Sequence, residues 1–236
     1  MTETAGRPPI WVRVLFVAVA LAAWFATQRL IGQREAQAGA IYDGVHVLLE
    51  APNRYLQEHP AAASGLLIVS SAVIDALGIF LLLRSVLGPT VRPFLGLLML
   101  FAMRQVCQLL CALEPPQGMI WYDPGFPSLL VTYNVATDFF FSGHTGLAVL
   151  GAVELARMGT SPQGRRRWLA LGIAIAVFEA TTVLVLRAHY TMDVFTGAVA
   201  ARYASILAPR LSPSCDRLLG ELSRRQADNP SRAVGP

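Results

Sequence analysis

The 236-residue sequence contains no lysine, few charged residues and only three cysteines. Charged residues make up 14% of the chain, whereas soluble domains carry roughly a quarter, so the composition argues against a soluble globular protein. Every basic residue is arginine, and the net charge of +4 is therefore not that of a lysine-rich tail that binds nucleic acid. Three cysteines give no disulfide framework, and no metal-site spacing occurs. We expect neither a metal nor another cofactor.

What the chain does contain is a series of apolar segments. Hydrophobic residues make up 54% of the sequence, and the mean hydropathy is +0.50. A helix of about 20 apolar residues crosses a ~30 Å hydrocarbon core. The sequence predicts an all-α, polytopic membrane protein with six transmembrane helices, near residues 10–31, 62–84, 92–113, 139–158, 168–187 and 190–208. The mixed segment 35–59 between the first two spans predicts an interfacial helix that lies on the membrane.

These spans define one membrane domain, residues 10–208, between two polar ends. We expect residues 1–9 to be disordered and residues 209–236 to form a flexible cytoplasmic tail. A cleaved signal peptide is an alternative for the first span, because Arg7 and Arg13 precede or begin it and Ala36-Gln37-Ala38 follows it. The sequence does not indicate an oligomeric state.

The distribution of arginine predicts the orientation in the membrane, because cytoplasmic loops are enriched in basic residues. With six spans, eleven arginines fall on the side of the two termini and four on the opposite side. The termini should therefore be cytoplasmic, in a bacterial inner (plasma) membrane. The starts of spans four and six then both lie at the outer, periplasmic face.

The second of these starts carries a histidine and a carboxylate four positions apart, His189 and Asp193. On a helix this spacing places both on one face. The carboxylate could then hold one ring nitrogen and leave the other available as a nucleophile. The alternative is a polar pair that only caps or packs the helix.

The first start carries the sequence Asp138-Phe-Phe-Phe-Ser-Gly-His-Thr145. The N–H groups of a helix start bind anions, and Gly143 would let a phosphate approach the backbone. Ser142 could donate a hydroxyl to that phosphate, and His144 could act as a general acid. The alternative is an ordinary N-cap, which is also a plausible role for Asp138.

Among the charged residues inside the predicted spans, Arg104 in the third and Glu179 in the fifth lie at similar depth, and Asp75 lies near the middle of the second. Charges at such depth usually face a protein interior or a functional cavity. Either Arg104 and Glu179 form a structural ion pair, or Arg104 binds a phosphate at the floor of a headgroup cavity.

These motifs resemble those of the sphingomyelin synthase-like branch of the type 2 phosphatidic acid phosphatase superfamily. The resemblance also includes the segment from Arg104 to Pro116, and it covers spans three to six. It implies that His189 forms a phosphohistidine, that Asp193 orients it and that His144 serves the leaving and entering hydroxyls, without a metal ion. Arg187 is the nearest candidate for an arginine that the phosphatases carry before the second histidine, and Thr145 and Tyr190 would support the site.

The resemblance leaves the reaction partly open. The leading hypothesis is a phosphotransferase that moves a phosphocholine-type headgroup from a phospholipid to a lipid alcohol such as diacylglycerol or ceramide. The alternatives are a lipid phosphate phosphatase, for which water is the acceptor, and a non-catalytic protein that binds phospholipid. The headgroup, the acceptor and the acyl preference are not encoded in these motifs.

Overall fold

The computed structural model describes residues 9–31, 41–133 and 139–227, and over these ranges the chain is helical without strands. The predicted all-α class is therefore confirmed. Residues 1–8 and 228–236, which belong to the expected disordered terminus and flexible tail, lie outside the described ranges. The helices are α1 (Ile10–Ile31), α2 (Gly44–Leu48), α3 (Glu50–Glu58), α4 (Pro60–Val86), α5 (Arg92–Leu110), α6 (Gly143–Ala156), α7 (Pro162–Val185) and α8 (Thr191–Ala227).

Within the described residues, four helices are long and apolar enough to cross a membrane: α1, α4, α5 and α7. The chain is thus an integral membrane protein, while six spans are not confirmed. The predicted span 139–158 yields only the 14 residues of α6, which extend about 21 Å. The predicted span 190–208 is part of α8, in which charged side chains interrupt the apolar ones.

Helix α6 lies at the centre of the bundle, where α4, α5, α7 and α8 pack around it. Most of its residues are buried, including Leu147, Leu150 and the carboxylate of Glu154. A buried carboxylate requires a partner, and Glu154 has two, Arg92 at 2.9 Å and Arg157. Because neighbouring helices cover it, α6 does not need the length or the uniform apolarity of a helix that faces lipid.

Helix α8 does not end at residue 208, where the sequence suggested a flexible tail, but continues to Ala227 through Pro209 and Pro213. A proline inside a helix removes one backbone hydrogen bond and favours a break. Tertiary contacts offset this cost here. Asp216 accepts hydrogen bonds from the Val91 backbone at 3.0 Å and from the Thr90 hydroxyl at 2.6 Å, so the extension is held against the turn between α4 and α5.

The connection 111–133 has no helix or strand, yet it follows α4 towards the middle of the bundle. Asp75 accepts hydrogen bonds from the backbone of Leu129 at 2.8 Å and of Leu130 at 2.9 Å. Asp75 lies 15 residues beyond Pro60, or about 22 Å along the helix. Irregular backbone at such depth is tolerated where protein surrounds it or where it lines a cavity. Trp121, in this connection, is partly buried and packs against the core.

The close contact between α6 and α7 can be tested at Gly172. A Cβ at this position would lie 2.4 Å from the Cα of Ala152, whereas a Cβ at Gly65 on α4 would meet nothing within 4 Å. We expect Gly172→Ala to destabilise the protein by about 1–3 kcal/mol because it forces two helix backbones apart. Gly65→Ala is the matched control, and it should leave the thermal unfolding midpoint in detergent unchanged or raise it. Equal midpoints for both variants would contradict this packing.

Candidate active site

His189 lies in the connection between α7 and α8, just before the first residue of α8. Its Nδ1 is 3.0 Å from the Asp193 carboxylate, and its side chain is buried. The predicted pairing of the two residues is therefore present, but His189 is not on the helix as the spacing suggested. The pairing is possible because Asp193 occupies the first turn of α8 and reaches back towards the helix start, as an acidic residue does in a capping box. The other ring nitrogen, Nε2, remains for chemistry.

Asp193 also binds the segment that leads into α6. Its carboxylate accepts a hydrogen bond from the Phe140 backbone at 2.9 Å, and its carbonyl accepts one from the Ser142 backbone at 2.9 Å. Helix α8 approaches closely here, since a Cβ at Gly197 would lie 2.4 Å from the Ser142 carbonyl oxygen. One residue thus joins the two sequence motifs, and it holds His189 at a fixed position relative to the start of α6.

At the start of α6, Ser142 acts as the N-cap. Its hydroxyl oxygen accepts a hydrogen bond from the Thr145 backbone at 3.3 Å and lies 3.1 Å from the Thr145 hydroxyl. Neither side chain lines the cavity described next, so the expected hydroxyl contact of Ser142 with a phosphate has no support in this geometry. Gly143 does line that cavity. Asp138 lies outside the described residues.

A buried cavity of about 40 Å³ separates the two histidine segments, and both His144 and His189 line it. This volume holds a few water-sized groups. The His144 ring packs edge-on against Trp121, with ring centroids 5.4 Å apart. Its Nε2 is buried without a hydrogen-bond partner among the described residues. Since a buried polar atom is normally satisfied, this nitrogen is a candidate to contact a ligand.

Arg104 forms part of the cavity wall near the start of α6. Its guanidinium donates a hydrogen bond to the side-chain oxygen of Gln28 on α1. A Cβ at Gly143 would lie 3.4 Å from the Nε of Arg104, so the glycine leaves room for this cation beside the start of α6. Glu179 is not its partner, because Glu179 instead accepts a hydrogen bond of 2.6 Å from Ser70. Of the two alternatives for Arg104, the geometry favours the cavity wall over the ion pair.

Arg187 and Tyr190 face a second, polar cavity of about 390 Å³. Arg187 forms an ion pair with Glu50 at 2.8 Å and donates a hydrogen bond to the Gln117 carbonyl at 2.6 Å. The Tyr190 hydroxyl donates to the Glu114 carbonyl at 2.9 Å. Arg187 does not line the cavity of the two histidines, so its predicted role as a phosphate ligand finds no support there.

The interfacial segment contacts the loop that carries His189. The His46 ring lies 2.9 Å from the His189 carbonyl oxygen. Asp43 accepts hydrogen bonds from the Thr191 backbone at 2.6 Å and from the Thr191 hydroxyl at 2.7 Å, and it also caps α2. The segment that was expected to form an interfacial helix contains α2 and α3, and it contacts the loop that carries His189.

Sequence reasoning missed Gln28, Trp24, Asp43 and His46 as parts of this site and its support. Asp43 carries a local signal, since an aspartate before a short helix is a common N-cap, but that signal does not identify Thr191 as a second partner. Gln28 and Trp24 belong to a segment that reads only as a membrane span. Their roles depend on how α1 packs against α5, and no local pattern encodes that packing.

Taken together, apolar helices around a buried site of two histidines, an aspartate and an arginine define an integral membrane enzyme of the kind that acts on lipids. Comparison with known families supports this class. The model of the family AtPDCT1/2 matches residues 42–210, more than two thirds of the chain, and the chain belongs to this family. No curated protein and no solved structure matches the chain.

This match corrects the family that the motifs suggested. AtPDCT1/2 is a phosphatidylcholine:diacylglycerol cholinephosphotransferase family, which is related to sphingomyelin synthase-like enzymes but is not that branch. The two histidines, the aspartate and the Ser-Gly pair did not distinguish between related families. The match also gives no support to a bacterial inner membrane, because the family is eukaryotic.

The contact between Asp43 and Thr191 predicts a dependence of stability on pH. Partial burial alone raises the pKa of Asp43, but the hydrogen bonds from Thr191 and the nearby His46 outweigh it, so the pKa lies below its usual value of 3.8. A carboxylate with a depressed pKa in the folded state stabilises the fold above its unfolded-state pKa, and this contribution is lost as the pH falls through the folded-state pKa. The wild type should therefore unfold at a higher temperature than Asp43→Asn near about pH 6, and the difference should shrink below about pH 4. A difference that stays constant in thermal scans down to about pH 3 would contradict this role.

Proposed function

We propose that this protein transfers phosphocholine from phosphatidylcholine to diacylglycerol through a phosphohistidine on His189. The observation that carries the proposal is the pair of histidines on one buried cavity, with Nδ1 of His189 held by Asp193 at 3.0 Å. The family match favours this headgroup and this acceptor. Ceramide, or another lipid alcohol, is an alternative acceptor.

In the first half of the reaction, Nε2 of His189 attacks the phosphorus of phosphatidylcholine. A P–N bond forms, and the bond between phosphorus and the diacylglycerol oxygen breaks. The negative charge of the bound phosphodiester favours protonation of the buried His144 ring, and the protonated Nε2, which has no hydrogen-bond partner among the described residues, gives its proton to that leaving oxygen. Arg104 and the N–H groups at the start of α6 stabilise the charge on the phosphoryl oxygens. Asp193 stabilises the positive charge that develops on His189.

In the second half, the hydroxyl of another diacylglycerol attacks the phosphohistidine. His144 accepts the hydroxyl proton, the new P–O bond forms, and the P–N bond breaks to regenerate neutral His189. Water in place of the alcohol would release phosphocholine and make the protein a hydrolase. The aromatic rings in the cavity wall, which include those of Trp24, Phe101 and Phe139, suit the carbon atoms of a lipid acceptor and support transfer.

This mechanism assigns the charge stabilisation to protein groups, and we propose that the reaction requires no metal ion. Among the described residues, no three side chains of the types His, Cys, Asp or Glu gather in the geometry of a metal site. Activity that persists after dialysis against a chelator would agree with this proposal. Activity that returns only on addition of a divalent cation would contradict it.

The reaction can be tested with purified protein in vesicles that contain phosphatidylcholine labelled in its headgroup and unlabelled diacylglycerol with different acyl chains, so that donor and product lipid can be separated. We expect wild-type protein to form labelled product lipid, His189→Ala to form none, and His144→Gln to be slower by roughly a hundredfold to ten-thousandfold. His59→Ala is the matched control, because His59 is exposed and bonds only locally to Tyr55. A phosphorus label at the headgroup should also appear on wild-type protein in an acid-labile form.

Three results would contradict these assignments. Release of the headgroup phosphate only to water would replace the transferase with a hydrolase. Equal activity of the wild type and His189→Ala would exclude His189 as the nucleophile. The absence of an acid-labile label during turnover would argue for direct transfer between the lipids.

We also propose that both termini are cytoplasmic and that the site opens to the opposite face of the membrane. The arginine distribution supports this orientation. In a variant that lacks Cys107, Cys111 and Cys215, single cysteines can replace the exposed Asp123, in the connection between α5 and α6, and the exposed Arg166, near the start of α7. A membrane-impermeant maleimide added to intact cells that carry the protein in their plasma membrane should label only the cysteine at 123. Labelling only at 166 would reverse the orientation.

A further inference from the structure

The cavity wall includes three residues of α1, a helix that lies outside the region matched by the family model. Trp24, Phe25 and Gln28 face the same cavity as His144 and His189. Helix α1 is the candidate span with the smallest buried share, at 17%, so its few buried polar residues stand out. These are Arg13 and Gln28, which are both at least nine-tenths buried.

The two buried polar residues attach α1 at opposite ends. Arg13 donates hydrogen bonds to the Ser85 carbonyl and, at 2.7 Å, to the Gly88 carbonyl in the turn between α4 and α5. Gln28 lies 15 residues later, about 22 Å along the helix, and contacts Arg104. These contacts fix both the depth and the rotation of α1, so the residues that it presents to the cavity have a defined position.

The chemistry of Arg104 determines which way the Gln28 amide points. A guanidinium has donors and no acceptor, so the side-chain oxygen of Gln28 must face Arg104. That oxygen also lies 3.4 Å from the side-chain nitrogen of Gln105. The NH₂ group of Gln28 is consequently directed away from Arg104, and it is buried without a hydrogen-bond partner among the described residues.

The unpaired NH₂ group is not alone on this cavity. The indole Nε1 of Trp24 and the Nε2 of His144 are also buried and lack hydrogen-bond partners among the described residues, and both residues line the same wall. Single unsatisfied polar atoms are uncommon in folded proteins. Three around one small cavity indicate a ligand with several acceptor oxygens, and a phosphodiester is such a ligand.

We infer that the amide nitrogen of Gln28 donates a hydrogen bond to the phosphate of the lipid substrate, beside Arg104. This inference rests on the proposed function for the identity of the substrate. It makes α1 part of the active site rather than only a membrane anchor. Cleavage after α1, as for a signal peptide, would remove a substrate-binding residue.

Gln28→Glu separates this role from a purely structural one. Glutamate keeps an oxygen for Arg104 and replaces the NH₂ donor with an acceptor that repels phosphate. We expect kcat/KM for phosphocholine transfer to fall by about tenfold to a hundredfold or more, with the thermal unfolding midpoint at least as high as in the wild type. If kcat/KM of Gln28→Glu equals that of the wild type, the NH₂ group of Gln28 does not bind the phosphate, and the inference is wrong.

Thr27→Val is the matched control on the same helix. Thr27 is exposed, and its hydroxyl donates only to backbone carbonyls of its own helix, those of Ala23 and Trp24. Its loss should leave kcat/KM unchanged. A fall in kcat/KM as large as that of Gln28→Glu would show a general sensitivity of α1 and would overturn the specific assignment.

A binding measurement distinguishes failure of this inference from failure of the proposed reaction. Dihexanoyl phosphatidylcholine can be titrated into His189→Ala protein in maltoside micelles while tryptophan fluorescence is recorded, since Trp24 and Trp121 line the cavity. We expect Gln28→Glu in this background to raise the apparent Kd by about tenfold or more. Weakened binding supports the role of Gln28 even if wild-type protein transfers nothing, and unchanged binding overturns that role even if wild-type protein is active.

Discussion

The carboxylate of Asp193 is the interaction on which the rest of the site depends. It accepts hydrogen bonds from the His189 ring and from the backbone of Tyr190 and Phe140. His189, Tyr190 and Asp193 are buried at the junction of α6 and α8, where an unsatisfied donor would cost about 1–3 kcal/mol. The same carboxylate therefore completes the start of α8, orients the histidine and fixes the segment that leads to His144. A change at this residue alters the fold and the chemistry together.

The second constraint is that polar groups lie within a bundle whose outer surface is apolar. Three charged side chains meet partners from other elements: the buried Glu154 meets Arg92, the buried Arg104 meets Gln28, and the half-buried Asp75 meets the backbone of the connection 111–133. The pairing of Glu154 with Arg92 lets the 14-residue helix α6 lie at the centre of the bundle, where other helices cover it. These pairings also concentrate polar groups around the cavity, where the proposed reaction requires a low dielectric and fixed donors.

The sequence predicted the helical class, the approximate bounds of α1, α4, α5 and α7, and the convergence of His144 with His189. Those features follow from hydropathy and from short motifs, which are local. The predicted spans 139–158 and 190–208 differ from α6 and α8 in their bounds. Contacts with neighbouring helices stabilise these two helices, and the hydropathy of a segment does not encode such contacts. Of the two alternatives for Arg104, the ion pair with Glu179 is not formed, because two residues at similar depth can face different neighbours. The sequence did not predict that Gln28 lines the cavity. Its position depends on the rotation of α1, and the contacts of Arg13, 15 residues earlier, help to fix that rotation.

The position of His189 depends on elements from both sides. On the cavity side, Asp193 holds the ring. On the other side, His46 contacts the His189 carbonyl and Asp43 holds Thr191, so the short helices α2 and α3 contact the loop from the second cavity. The loop that carries His189 is therefore held from two sides, by Asp193 on α8 and by residues of the segment before α3, and these contacts give the His189 ring a fixed position beside the cavity.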